Sequence, residues 1–167
     1  MRILGIDPGL ATTGWAVVDF DDNSKPEIVD YGCIFTEKGL SVHRRLKEIY
    51  DDTLEILSTH EPEYAGIETL LFCNNAKTGI VVGEARGVIL LALEESNVLI
   101  KEFTPLQVKN SITGYGKANK MQIQENVKLL YGLEELPKPD DAADALAIAM
   151  ATEVLVSRDN IISHYPV

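Results

Sequence analysis

The chain has 167 residues, 46% of them apolar and 25% charged, with a mean hydropathy near zero. That suffices for one folded domain with a substantial core and excludes disordered and collagen-like classes. Fifteen Lys and Arg face 26 Asp and Glu, a formal net charge of -11, which excludes an undifferentiated nucleic-acid binder.

No apolar run approaches the ~18 residues of a membrane span. Asp7 interrupts the first apolar stretch too early for a signal peptide. Cys33, Cys73 and the three histidines are scattered, which favours neither a disulfide framework nor a zinc site. A reducing, cytoplasmic setting is expected. The charge is uneven: residues 1–60 hold six basic and eleven acidic residues, 101–128 hold five lysines and two glutamates, and 129–167 hold two basic and seven acidic residues. A solvated helix face would explain the basic segment as well as a binding surface would, until other residues are weighed.

Ile3–Ile6, ended by Asp7-Pro8-Gly9, predicts a buried strand and a turn. Thr13–Phe20 and Glu27–Phe35 predict two more strands around the turn cluster Asp21–Pro26, giving an antiparallel meander. Ser41 is expected to cap a helix reaching Thr59, with Leu46, Ile49, Tyr50, Leu54, Ile56 and Leu57 as its apolar stripe. Tyr64–Glu68 reads as a strand, Cys73–Thr78 as a polar loop, Gly79–Glu95 as a helix and Val98–Phe103 as the fifth strand. Helices are expected over Pro105–Ile112, Lys117–Tyr131 and, introduced by Pro139, Asp140–Ser157. A meander followed by alternating strands and helices predicts an α/β fold: a five-stranded mixed sheet flanked by helices. The Gly79–Glu95 helix is apolar around most of its circumference, from Ile80, Val81 and Val82 to Val88–Leu91 and Leu93. One sheet cannot cover all of those residues, so a second copy of the chain is the expected cover, with two-fold symmetry.

Period-two alternation puts Ile3, Gly5 and Asp7 on one face of the first strand. A carboxylate at the end of a buried strand is costly without a cation or several donors. Glu68 repeats that situation, and strand ends are where open α/β sheets bind ligands. In the last helix, DDAADALAIA, Asp141 and Asp144 are three residues apart and share a face. Taken singly, Asp7 could form a turn and the helical acids could complement the helix dipole. Together, four carboxylates from three elements are better explained by a shared site for Mg²⁺ or Mn²⁺.

The segments GIDPG with TTGWAVVD, AGIETLLFCNNAKTGIVVGEARG, PLQVKNSITGYGKANK and DDAADALAIA closely resemble the RuvC family of Holliday junction resolvases, over Arg2 to about Ala151. The resemblance implies a ribonuclease H-like fold, a homodimer and Mg²⁺-dependent nicking of four-way DNA junctions in recombination and repair, beside a branch-migration helicase. Residues 1–158 would form the nuclease domain and 159–167 a short C-terminal tail. The family's catalytic, metal-holding carboxylates fall on Asp7, Glu68, Asp141 and Asp144; Asp140 is not among them. Its two lysines near the scissile phosphate and DNA fall on Lys109 and Lys120. Two ions per subunit would activate water and stabilise the leaving oxygen, with Mn²⁺ able to substitute. Lys120 would stabilise developing charge. Lys117, Asn75 and Lys77 are candidate DNA contacts. The family's base-stacking aromatic falls on Leu71, with Phe72 next, so either an aliphatic wedge or Phe72 takes that part. The C-terminus lacks the basic tail of some relatives. Two rival readings share the GIDPG opening. One is a ribonuclease H-like nuclease of ribosomal RNA precursors. The other is a nucleotide-binding protein of the actin and sugar-kinase type, whose phosphate loop resembles GIDPGLATTG but which needs two such domains.

Overall fold

Five strands form one sheet: β1 (Arg2–Asp7), β2 (Thr12–Phe20), β3 (Pro26–Phe35), β4 (Tyr64–Glu68) and β5 (Leu99–Phe103), in the order β3-β2-β1-β4-β5. The computed structural model describes residues 1–70 and 76–164, with side chains through 70 and from 79 to 159. The first three strands pair antiparallel, and β4 and β5 run parallel to β1. This is the mixed sheet expected from the sequence. Among the described residues five helices accompany it: α1 (Val42–His60), α2 (Ala76–Glu95), α3 (Pro105–Thr113), α4 (Lys120–Leu130) and α5 (Asp140–His164).

The central strand is apolar on both faces because both faces are covered. Leu4 and Ile6 join Val17, Ile34, Ala65 and Ile67 beneath α1 and α2, against Ile49, Leu57, Ala85, Ile89 and Leu93. Ile3, Ala16 and Val18 face α5 instead, with Val108 and Ile112 of α3 and Val127 of α4 extending that layer.

What seats α5 is the absence of side chains under it. A Cβ at Gly5 would lie 2.0 Å from the Ala145 carbonyl oxygen, and one at Gly14 would lie 2.1 Å from that of Asp141. One at Gly66 would lie 1.9 Å from Thr152 Oγ1. Gly5 is paired with Gly66 across the β1–β4 ladder, so the bare track crosses neighbouring strands. Ala142, Ala145 and Ala149 of the helix are fully buried, small counterparts to those glycines. The contact fixes the height and register of α5, and therefore where Asp141 and Asp144 stand.

Several element limits differ from the sequence reading. α2 starts at Ala76, so the last part of the expected Cys73–Thr78 loop is helical. α4 starts at Lys120 rather than Lys117, because Asn119 Oδ1 accepts from the Gln122 amide at 2.9 Å while Gln122 Oε1 accepts from the Asn119 amide at 2.9 Å. Ser41 occupies the N-cap of α1 but its hydroxyl pairs with the His43 ring at 3.0 Å rather than with the helix backbone. α5 runs past Ser157 to His164.

Close packing of backbone on backbone predicts which glycine can be rescued. Gly5→Ala meets main-chain atoms and should cost about 3 kcal/mol or more in urea unfolding. Gly66→Ala meets the Thr152 hydroxyl first, so adding Thr152→Ala should recover at least half of its loss. A Gly5→Ala protein as stable as the parent would refute this seating of the helix.

Candidate active site

Asp7 ends β1 and Glu68 ends β4, the strand beside it, and both point to the α5 side of the sheet. The Asp144 and Lys120 side chains line a cleft with them, together with Lys109 of α3, over an apolar floor of Val108, Ile123 and Ile148. Asp141 stands one helical turn before Asp144 and faces an adjoining cleft bounded by Gly9–Thr12, Arg45, Val81 and Val82. Its charge still acts on Asp7. The structure thus groups Asp7, Glu68, Asp144, Lys109 and Lys120 around one cleft, with Asp141 at its border. Lys117 is exposed on the turn between α3 and α4. Leu71, Phe72 and Asn75 lie outside the described residues, as does the side chain of Lys77.

The cost of this grouping appears in the ionisation of its members. Burial pushes Asp7 up to about 7, and Asp144, Glu68 and Asp141 push the same way, against the Lys120 ammonium. Glu68 is raised by burial and by Asp144, with Lys109 opposing. Asp144 is raised by burial even though Lys120 lowers it. Burial works against the Lys120 ammonium, yet Asp144 and Asp140 hold its pKa above the ordinary lysine value. Lys120 Nζ lies 3.3 Å from both Asp140 Oδ2 and Asp144 Oδ2. Asp140, which the sequence reading left with the helix dipole, therefore positions a cation.

The donor set consists of carboxylate oxygens, the hard ligands that Mg²⁺-type ions take. Four clustered carboxylates against the ammoniums of Lys109 and Lys120 leave a local excess of negative charge that a divalent ion would balance. Among the described residues, no three His, Cys, Asp or Glu side chains are closed around a single point at ligating distance. The chemistry fits a divalent cation, while Lys120 rather than a ring of carboxylates holds Asp144.

Two neighbours of the site were not evident in the sequence. Arg86 of α2 donates from Nε to the Glu68 carbonyl oxygen at 2.9 Å and pairs with Glu102, fixing the end of β4. Its signal was the single cation of the apolar Gly79–Glu95 segment. Cys33 of β3 lies by Asp141; burial and Asp141 push its thiol up to about 11, so it is an inert neighbour.

The sheet order and the helix crossing the ends of β1 and β4 define the class, a ribonuclease H-like α/β domain. A family model described as crossover junction endodeoxyribonuclease RuvC matches residues 3–152. The chain belongs to the RuvC family. A relative carrying that description in Caldicellulosiruptor saccharolyticus is 49% identical over 96% of this chain and 100% of its own length. One in Fusobacterium nucleatum is 53% identical over 90% of this chain and 78% of its own. The solved Thermus thermophilus RuvC superposes with a TM-score of 0.88 at 30% identity, over 95% of this chain and 97% of that one. The same protein in complex with a Holliday junction substrate gives 0.86 at 28% identity, over 95% and 96%. Nucleases of this family depend on divalent metal. These relatives lend no support to the alternative of a ribosomal RNA nuclease.

The raised Asp7 carboxyl carries a pH dependence of stability. Between its unfolded value near 3.8 and its folded value of about 7 the folded protein binds more protons, so stability falls as pH rises through that window. In chelator, the melting temperature should decline from pH 5 to pH 8. Asp7→Asn should flatten the decline and stabilise the chelated protein at pH 8 by about 2 kcal/mol or more. Millimolar Mn²⁺ should raise the parent's melting temperature, and raise that of Asp7→Asn less.

Proposed function

We propose that this chain resolves four-way DNA junctions, cutting phosphodiester bonds in pairs as a homodimer during recombination and repair. The observation that carries the reading is the cleft where Asp7 and Glu68, at neighbouring strand ends, meet Asp144 of α5 beside Lys109 and Lys120. Family membership and the likeness to the junction-bound relative support the same reading. Residues 1–158 act as the nuclease unit.

Asp7, Glu68, Asp141 and Asp144 would hold two Mg²⁺ per subunit, with Mn²⁺ able to replace them. Bound there, divalent ions supply an activated water and neutralise charge on the leaving oxygen. Asp7 is central to the set, because each of the other three carboxylates acts on it. Lys120, held by Asp140 and Asp144, brings an ammonium to the cleft where negative charge develops on the attacked phosphate. Lys109 and the exposed Lys117 meet backbone phosphates. Asn75 and Lys77 follow from the segment beside Glu68, and Leu71 or Phe72 serves as the wedge at the crossover.

The dimer reading rests on α2. Ala85, Ile89, Ala92 and Leu93 are fully buried within the chain, while Ile80 and Leu91 remain 58% and 51% exposed. A two-fold interface over that outer face would present two sites to a junction of near two-fold symmetry. A branch-migration helicase is the expected working partner, and a reducing cytoplasmic setting agrees with the free thiol of Cys33.

Asp7→Asn should lower nicking of a synthetic mobile junction at saturating Mg²⁺ by about 10²–10³-fold or more while junction binding persists. Full activity would reject the site. Lys109→Ala and Lys120→Ala should each weaken binding and flatten its salt dependence by about one phosphate contact. Leu91→Glu should give a monomer by light scattering that no longer makes paired nicks. A monomeric parent that still cuts in pairs would defeat the dimer.

A further inference from the structure

Three arginines of the chain are neither fully exposed nor fully buried: Arg2, Arg45 and Arg86. Arg2 pairs with Asp19 and Arg86 with Glu102. Arg45 has no carboxylate partner among the described residues. Its Nε donates to Thr36 Oγ1 at 2.7 Å and its Nη2 to the Leu10 carbonyl oxygen at 3.2 Å. Both acceptors are neutral, so the charge is unmatched, and a guanidinium has further N–H donors to offer. Withdrawing a cation partly from water without an anion is costly.

Arg45 lines the cleft bounded by Gly9–Thr12, Val81, Val82 and Asp141, so one wall of it is the turn that follows Asp7. That turn is rigidly held. The buried Thr13 hydroxyl donates to the Gly9 carbonyl oxygen at 2.7 Å, and Thr36 Oγ1 donates to that of Leu10 at 2.5 Å. A Cβ at Gly9 would meet the Thr12 carbonyl oxygen at 2.3 Å. With the carbonyls engaged, the amides of Leu10 and Ala11 donate to no protein group among the described residues. An unpaired guanidinium beside two free amides on a fixed turn is an anion-binding arrangement.

We infer that Arg45, with the Leu10–Ala11 turn, binds a second phosphate of the cut strand, next to the one attacked, and so sets which bond lies over the carboxylates. This rests on the junction-nuclease reading. A phosphodiester strand carries its charges in series, and the lining of this cleft follows Asp7 along the chain and precedes Asp144 by one helical turn. The inference also gives a use to GIDPGLATTG beyond its Asp: a phosphate loop, serving here a nucleic-acid backbone. Arg45 is a binding and positioning residue and touches no reacting atom.

The test is a scan of synthetic four-way junctions carrying a single uncharged methylphosphonate at successive positions around the nick. Binding is measured in chelator, where no strand is cut. For the parent, one position besides the attacked phosphate should weaken binding by about tenfold. Arg45→Gln should weaken binding of the unmodified junction by a similar factor, flatten its salt dependence by about one contact, and lose sensitivity at that one position. In Mg²⁺, its nicks should spread to neighbouring bonds, which loss of a merely structural contact would not produce. Arg45→Lys keeps the charge without the fork. It should keep the salt dependence and lose several-fold of the sensitivity at the same position, which preserves the test if Arg45→Gln does not fold. Additive effects at every position, or unchanged sensitivity in both variants, would overturn the inference. So would an Arg45→Gln protein whose only change is loss of the dimer, since that assigns the guanidinium to a carboxylate of a second copy. A parent that nicks no four-way junction defeats the functional reading itself; a parent that nicks but shows no coupled position defeats only this inference.

Discussion

The contact between α5 and the glycines of β1, β2 and β4 is the constraint on which the site depends. In an ordinary helix-on-sheet layer, side chains set the spacing, and helices pack 8–10 Å apart from one another by the same means. Here Gly5, Gly14 and Gly66 remove those spacers, and the helix main chain comes down onto the strands. Two carboxylates on the first turns of α5 are thereby brought to two at the ends of β1 and β4. Burial of a cluster of like charges opposes folding. The apolar area under α1 and α2 and the tight α5 layer must offset it, and the raised pKa of Asp7 records the remaining strain.

An acidic protein that works on DNA must separate its charges in space. The excess acid is spread over residues 1–60 and 129–167, whereas lysines are concentrated on α3, α4 and the turn between them. These two short helices pack against α5 through Val108, Ile112 and Val127, so the cations are carried on the same layer as the carboxylates. Asp140 and Asp144 hold Lys120 at the border between the two charge fields. Electrostatic attraction to a phosphate backbone can then act locally, whatever the net charge of the whole chain.

Much of this was legible in the sequence. Strand-end carboxylates identified Asp7 and Glu68 because a charge terminating an apolar run demands an explanation, and three-residue spacing identified Asp141 and Asp144. The sheet followed from the meander and the alternation after it. What the sequence withheld were relations between distant residues. Gly5, Gly14 and Gly66 are visible as glycines, yet nothing local says that one helix rests on all three. Arg45 reaches a carbonyl 35 residues earlier, and Arg86 a carbonyl 18 residues earlier. The start of α4 was readable in retrospect, since Asn119 and Gln122 form a capping box, but Lys117 lies on the turn before it. The extension of α5 through the polar stretch after Ser157 reflects the lack of any Gly or Pro before Pro166 to stop it.

The two faces of the sheet differ in how they can change over generations. Under α1 and α2, Leu4, Ile6, Val17, Ile89 and Leu93 fit together as side chains, so a loss of volume at one position can be made good by a gain at its neighbour. Under α5 the fit at Gly5 and Gly14 is between main-chain atoms, and no substitution on the helix makes its backbone smaller. Drift can therefore proceed by paired replacements on one face and is blocked on the other. The blocked face is the one that holds the carboxylates in register, so the sequence can wander widely while the distance between strand ends and helix stays the same.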